Sequence, residues 1–181
     1  AKSVSNIKIV VTTYFEHSNE ATKVLVNTPI WAIGLDFIHG NKNLEILEFI
    51  KNSNKVLIAG VIDGRNIWKS NFQSKIQLLN KVSKIINKEN IIVSTSCSLL
   101  HVPFTLKYED NLDKEIKSWL AFANEKLQEL SLVSKQFFDF KLNLDEISVI
   151  RKNAEENNQR KISSKIHNIK IQDEIKNLKT F

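Results

Sequence analysis

Four short apolar runs rich in β-branched residues punctuate the first half of the chain: "IKIVVTTYF" (7–15), "IWAIGLDFI" (30–38), "KVLIAGVID" (55–63) and "NIIVSTS" (90–96). None alternates cleanly between apolar and polar, so each is expected to be a strand buried on both faces, as in a parallel sheet. Between them lie helix patterns at 17–27, 43–52 and 70–88. In the last, Phe72, Ile76, Leu79, Val82, Ile85 and Ile86 recur at steps of three and four and mark one apolar face. The order βαβαβαβα predicts an α/β fold.

After the fourth run a loop is expected at 97–109, followed by the strongest helix pattern of the chain. Leu112, Ile116, Trp119, Ala123, Leu127 and Leu130 form one stripe, with Asp110, Asp113 and Glu115 near its start, where the helix dipole favours negative charge. From about 141 the pattern changes to charged helical stretches around "ENNQRKISSK". The expected division is 1–140 for four βα units and 141–181 for peripheral helices or a connector.

In parallel α/β proteins the carboxyl ends of the strands and the loops after them form the functional face. Here they offer Thr12, Thr13 and Tyr14; Asp36 and His39; Asp63, Arg65 and Asn66; and Ser94, Ser96, Cys97 and His101. Cys97 with His101 suggests a thiol and a base, since a nearby base or cation activates a thiolate. The competing reading is a small buried cysteine and a loop histidine bonded to backbone. As a metal site the pair falls short of the three or four ligands zinc requires, and His39 with Asp36 adds no recognisable spacing. Arg65 suits a carboxylate or phosphate clamp, or else a rim contact to Asp63 or Asp36. Gly60 and Gly64 form no dinucleotide or phosphate-loop motif.

Composition narrows the classes. The net charge of +6 comes from 23 Lys and only 3 Arg, dispersed along a chain in which Lys, Ile and Asn exceed a third of all residues. Base composition of the gene accounts for this, and no nucleic-acid partner is expected. No apolar run is long enough for a membrane helix, and a single Cys does not suggest a secreted scaffold, so a cytoplasmic protein with no membrane partner is the expectation. Methionine is absent, which suggests a piece of a longer protein.

The wording of the strand ends is more specific than their chemistry. "VVTTYF", "LDFIHG", "AGVIDGRNIWK", "SCSLLHVPF" and "LDKEIKSWLAFANEKLQEL" follow in an order and spacing that resemble the amino-terminal barrel of cobalamin-independent methionine synthase, 5-methyltetrahydropteroyltriglutamate–homocysteine methyltransferase. The resemblance covers most of residues 7–135. Glu16, where the family often has Gly, and Asp63, where Asn is also usual, are mild departures. It implies about half of a TIM-type (βα)8 barrel, strands five to eight, followed by extra helices, in a cytoplasmic enzyme several times longer.

The resemblance further implies that zinc, homocysteine and folate are handled in the full-length enzyme, the zinc in a second, catalytic barrel. No catalytic, substrate-binding, cofactor-binding or metal-binding residue carries over to this segment, which is expected to bind no cofactor itself. Its expected partners are the other barrel half and the catalytic barrel, and its expected role is scaffold and interdomain surface. Cys97 then reads as a duplication relic of a zinc-binding cysteine without its partner ligands. Alone, the chain is expected to lack methyltransferase activity and to be poorly soluble, dimeric or partly unfolded, because its sheet edges are open. The alternative is a non-catalytic remnant or stand-alone binding module.

Overall fold

A computed structural model describes residues 7–178. Its centre is a four-stranded, all-parallel sheet in the order β1-β2-β3-β4, with strands β1 (Val10–Thr12), β2 (Ala32–Asp36), β3 (Val56–Ile62) and β4 (Ile91–Thr95). Each strand pairs with the next in sequence, so the chain winds in one direction only, as in a barrel. A doubly wound sheet would reverse direction at a switch point. The sheet is open and amounts to about half of a TIM-type barrel, followed by further helices.

The side chains divide the sheet into two faces. Ile33, Leu35, Leu57, Ala59, Val61, Ile91 and Val93 point to the helical side and join one core with residues of helices α2 (Leu47–Lys51), α3 (Phe72–Ser83) and α5 (Ala123–Phe137). Buried leucines such as Leu57 and Leu79 each contribute about 1.5–3 kcal/mol by leaving water. On the opposite face Thr12, Gly34, Ile58 and Ile92 lie side by side in register. Burial on both faces, expected for every strand, holds for β2 alone. Val10 is 41% and Ile92 40% exposed, because no second layer covers the inner face at the edge strands.

Several elements are shorter than their patterns predict, for identifiable reasons. β1 has three residues because Phe15 and Glu16 take positive φ angles of 62° and 93°, which turn the chain away from the sheet. Helix α1 is Asn19–Leu25, and the helix expected at 43–52 begins as a tight turn over Asn41–Leu44. α3 starts at Phe72 because the Asn71 side chain accepts the Ser74 amide at 3.0 Å and caps it.

The long helix expected from 110 to 130 is two helices, α4 (Lys114–Ser118) and α5, separated by an extended stretch. There Lys69 N donates to the Trp119 carbonyl at 2.8 Å, Ala121 N donates to the Ile67 carbonyl at 2.7 Å, and Trp68 bridges Leu120 antiparallel. Glu125 accepts the Phe122 amide and so favours a fresh start for α5. The restart rotates the register. Leu127, expected in the stripe, is 53% exposed, while Lys126 and Glu129 face inward beside Leu132, Val133 and Phe137.

α6 (Leu144–Ile162) opens with a capping box between Asn143 and Glu146, and α7 (Ile169–Asn177) follows. The buried residues of α6 are polar: Asn153, Glu156 and Asn157. Asn153 accepts the Phe72 amide at 3.1 Å and donates to the Ser70 carbonyl at 2.9 Å. Asn153→Ala leaves the Phe72 amide unpaired and the Ser70 carbonyl with only the longer 3.3 Å bond from Asn157, and is expected to cost about 1–3 kcal/mol in urea unfolding. A loss below a few tenths of a kcal/mol would show that this seam carries no stability. No helix among the described residues is long and apolar enough to cross a membrane.

Candidate functional site at the strand ends

The residues singled out from the sequence do converge at the carboxyl end of the sheet, because parallel strands deliver all their ends to one side. Asp36, at the end of β2, is fully buried. Its Oδ1 accepts the amides of Ile38 at 2.7 Å and His39 at 3.0 Å, an Asx turn that reverses the chain. Its Oδ2 is buried with no hydrogen-bond partner among the described residues.

Asp63, one strand along, organises the next loop. Its Oδ1 accepts the Arg65 amide at 2.9 Å, its Oδ2 accepts from the Asn66 side chain, and His39 Nε2 approaches Oδ1 at 3.5 Å. Ser96 Oγ accepts the Gly64 amide at 3.2 Å, which ties this loop to the end of β4. Gly64 is required there by contact, since a Cβ would lie 2.8 Å from the Cys97 carbonyl and 2.9 Å from its sulfur.

Cys97 and His101 do not form a catalytic pair. The Cys97 thiol is buried and donates to the Ser98 carbonyl at 3.5 Å, whereas His101 stands edge-on to Phe15 with ring centres 5.6 Å apart. Burial, and then the nearby Asp36 and Asp63 carboxylates, push the thiol upward, outweighing a hydrogen bond from Ser96 that favours the thiolate. A cysteine so placed is a poor nucleophile. Arg65 makes no ion pair with Asp36 or Asp63 among the described residues. Its guanidinium lies over the Phe15 ring at 4.7 Å.

Phe15 and Asn43 are the participants that sequence reasoning passed over. Asn43 Nδ2 donates to the Glu16 carbonyl at 3.0 Å and the Asp36 carbonyl at 2.8 Å, while its Oδ1 accepts the Ser18 amide at 2.9 Å. One buried amide thus joins the loops after β1 and β2. The only local signal was the crowding of Asn and Gly in "HGNKN", which marks a turn but not a bridge.

Beside this rim, the inner face of the sheet borders an open cavity of about 260 Å³ whose lining includes Thr12, Thr13, Tyr14, Ser94 and Ser96. Among the described residues no three His, Cys, Asp or Glu side chains gather as a metal-binding group. The donors present do not fit a zinc ion.

A singly wound parallel sheet with polar loops at its carboxyl end is the plan of a (βα)-barrel enzyme domain. Residues 1–87 match the family described as cobalamin-independent synthase, N-terminal domain. Three curated relatives carry the name 5-methyltetrahydropteroyltriglutamate–homocysteine methyltransferase. That of Desulforamulus reducens is 46% identical over 178 residues, 98% of this chain and 23% of the relative. The chloroplastic form 3 of Arabidopsis thaliana is 35% identical over 175 residues, 96% and 21% respectively. That of Lactococcus lactis is 36% identical over 170 residues, 91% and 21%. The chain belongs to the cobalamin-independent methionine synthase family, and it spans less than a quarter of the length of these relatives.

Proposed function

We propose that this chain is a segment of an enzyme that moves a methyl group from 5-methyltetrahydropteroyltriglutamate to homocysteine. Within it, the segment serves as strands five to eight of the amino-terminal barrel, as scaffold and as interdomain surface. The observation that carries the reading is the sheet itself, with sequential parallel order, two open edges and an uncovered inner face at Val10 and Ile92. Four more strands would satisfy both edges and fill the inner face, which is how an eight-stranded barrel closes. The chemistry on the rim agrees with support in place of catalysis: the thiol is buried and turned away from the histidine, and Asp63 is spent on loop amides. Folate, homocysteine and zinc would be met by parts of the enzyme outside these residues.

The test is a chimera. With the matching segment of the Desulforamulus reducens relative replaced by this chain, methionine formation from homocysteine and methylfolate is expected within about tenfold of the parent, since no reacting group is exchanged. The chain alone is expected to form none. A chimera that folds and stays inactive would support a non-catalytic remnant, and activity of the isolated chain would overturn the scaffold role.

A further inference from the structure

A second concave site adjoins the rim, where the loop after β3, the start of α3 and the last turns of α6 meet. It is a cavity of about 280 Å³ whose wall includes Lys69, Lys75, Arg160, Asn66, Asn71 and Ser74. We propose that this cavity is a binding site for a small oxyanion, a phosphate or carboxylate group, gripped by Lys75 and Arg160.

The charge balance of the wall carries the proposal. Lys69 is neutralised by Glu156 at 2.6 Å. Asp63, also on the wall, has both oxygens engaged by the Arg65 amide, His39 and Asn66. The Lys75 ammonium makes no hydrogen bond or ion pair among the described residues, although the residue is half-buried. Arg160 has only neutral acceptors, the Lys69 carbonyl at 3.4 Å and Asn157 Oδ1 at 3.2 Å, and its guanidinium is held 5.3 Å over the Trp68 ring.

Two cations thus share one cavity without a counterion in contact. Burial lowers the proton affinity of both Lys75 and Arg160, with Asp63 and Glu129 compensating only in part for Lys75 and Glu129 only in part for Arg160. Partly desolvated cations of this kind are costly unless paired, and an oxyanion entering the cavity would supply the missing charge. The stack on Trp68 fixes the plane of the Arg160 fork, and the side-chain amide of Asn71, with the second N–H of Asn66, adds neutral donors for a ligand's remaining oxygens. The volume admits a phosphate group with part of its carrier and excludes a large polyanion. Nothing in this assignment depends on methyl transfer.

Calorimetric titration of inorganic phosphate into the folded chain, in whatever oligomeric state it adopts, tests the site. Glutarate in a parallel titration separates carboxylate from phosphate. Saturable one-site binding of either ligand is expected, weakening as sodium chloride is added. Lys75→Met and Arg160→Gln are each expected to weaken it at least about tenfold, and Arg160→Lys to an intermediate degree because the fork is lost and the charge kept. Lys23→Gln, on the far surface, should leave it unchanged.

Lys75→Met separates ligand binding from a structural role. Lys75 holds nothing in place, so its removal should raise the melting temperature while abolishing binding. No saturable binding of either ligand, equal weakening by Lys23→Gln, or a destabilised Lys75→Met that still binds would each overturn the proposal.

Discussion

Gly40→Ala is expected to be among the most damaging single-methyl additions to this chain. Gly40 is buried where the loops after β1 and β2 cross, and a Cβ would meet Asn43 Nδ2 at 2.3 Å, the Glu16 carbonyl at 2.3 Å and the Asp36 carbonyl at 2.5 Å. Two of the three obstacles are backbone and cannot rotate away. The third is the amide that joins these loops by accepting from Ser18 and donating to Glu16 and Asp36. Either Asn43 withdraws and leaves buried carbonyls unpaired, or the loop beginning at Asp36 shifts and carries His39 off Asp63. Overpacking and a lost buried hydrogen bond together make a cost of about 3 kcal/mol the expected result. Urea unfolding measures it, and a loss under about 1 kcal/mol would show that the crossing is loose.

A comparable loss is expected from Lys126→Met. Lys126 is wholly buried, donates to the Trp68 carbonyl at 3.0 Å and is the main attraction acting on the Glu129 carboxylate. Glu129 accepts the Ser70 amide at 3.0 Å with one oxygen and leaves the other unpartnered. Removing Lys126 alone strands a buried acid and a carbonyl, which costs about 3 kcal/mol. Glu129→Gln keeps an oxygen for Ser70 and should cost less.

The pH dependence of the pair separates the two variants. Burial raises Glu129 above its ordinary 4.5, so its contribution is fully present below that value and is lost as pH rises through the folded-state value. The stability gap between the wild type and Glu129→Gln should therefore narrow as pH rises from about 4 to 8, whereas Lys126→Met should lose stability more steeply than the wild type over the same range. A widening gap for Glu129→Gln would mean that the carboxylate is stabilised by its surroundings.

Much of the site could be read from the chain because parallel strands obey a simple rule. An apolar run buried against helices is recognisable locally, and the polar residues after each run must arrive at the same end of the sheet. Asp36, Asp63, Arg65, Cys97 and His101 were found in this way, and all lie there. Their chemistry was not readable in the same manner. Cys97 and His101, four positions apart, look like partners in one dimension, but the short turn from Leu99 to His101 sends the imidazole to Phe15 and leaves the sulfur under Gly64.

The helix expected over 110–130 failed for a related reason. A stripe at steps of three and four measures apolar spacing, and it cannot register that Trp119 to Ala121 will be claimed by hydrogen bonds from a loop fifty residues earlier. Nor did any pattern mark Lys126, Glu129, Asn153 and Arg160 as inward-facing, because charged and amide side chains are exposed by default. Each is drawn inward by a backbone group or side chain distant in sequence, and such a partner exists only once the chain has folded.

The sequence by itself determined the alternation of strand and helix, the α/β class, the side of the sheet on which the polar loops gather and, through the wording of those loops, the family. Those properties rest on local apolar patterning and on short motifs that need no partner. Tertiary structure alone decided that the long helix pattern breaks at Trp119, that the thiol and imidazole part company, and that Lys75 and Arg160 share a cavity without a counterion in contact. Each of these depends on which distant groups come within hydrogen-bond or van der Waals range, and a one-dimensional pattern carries no information about that.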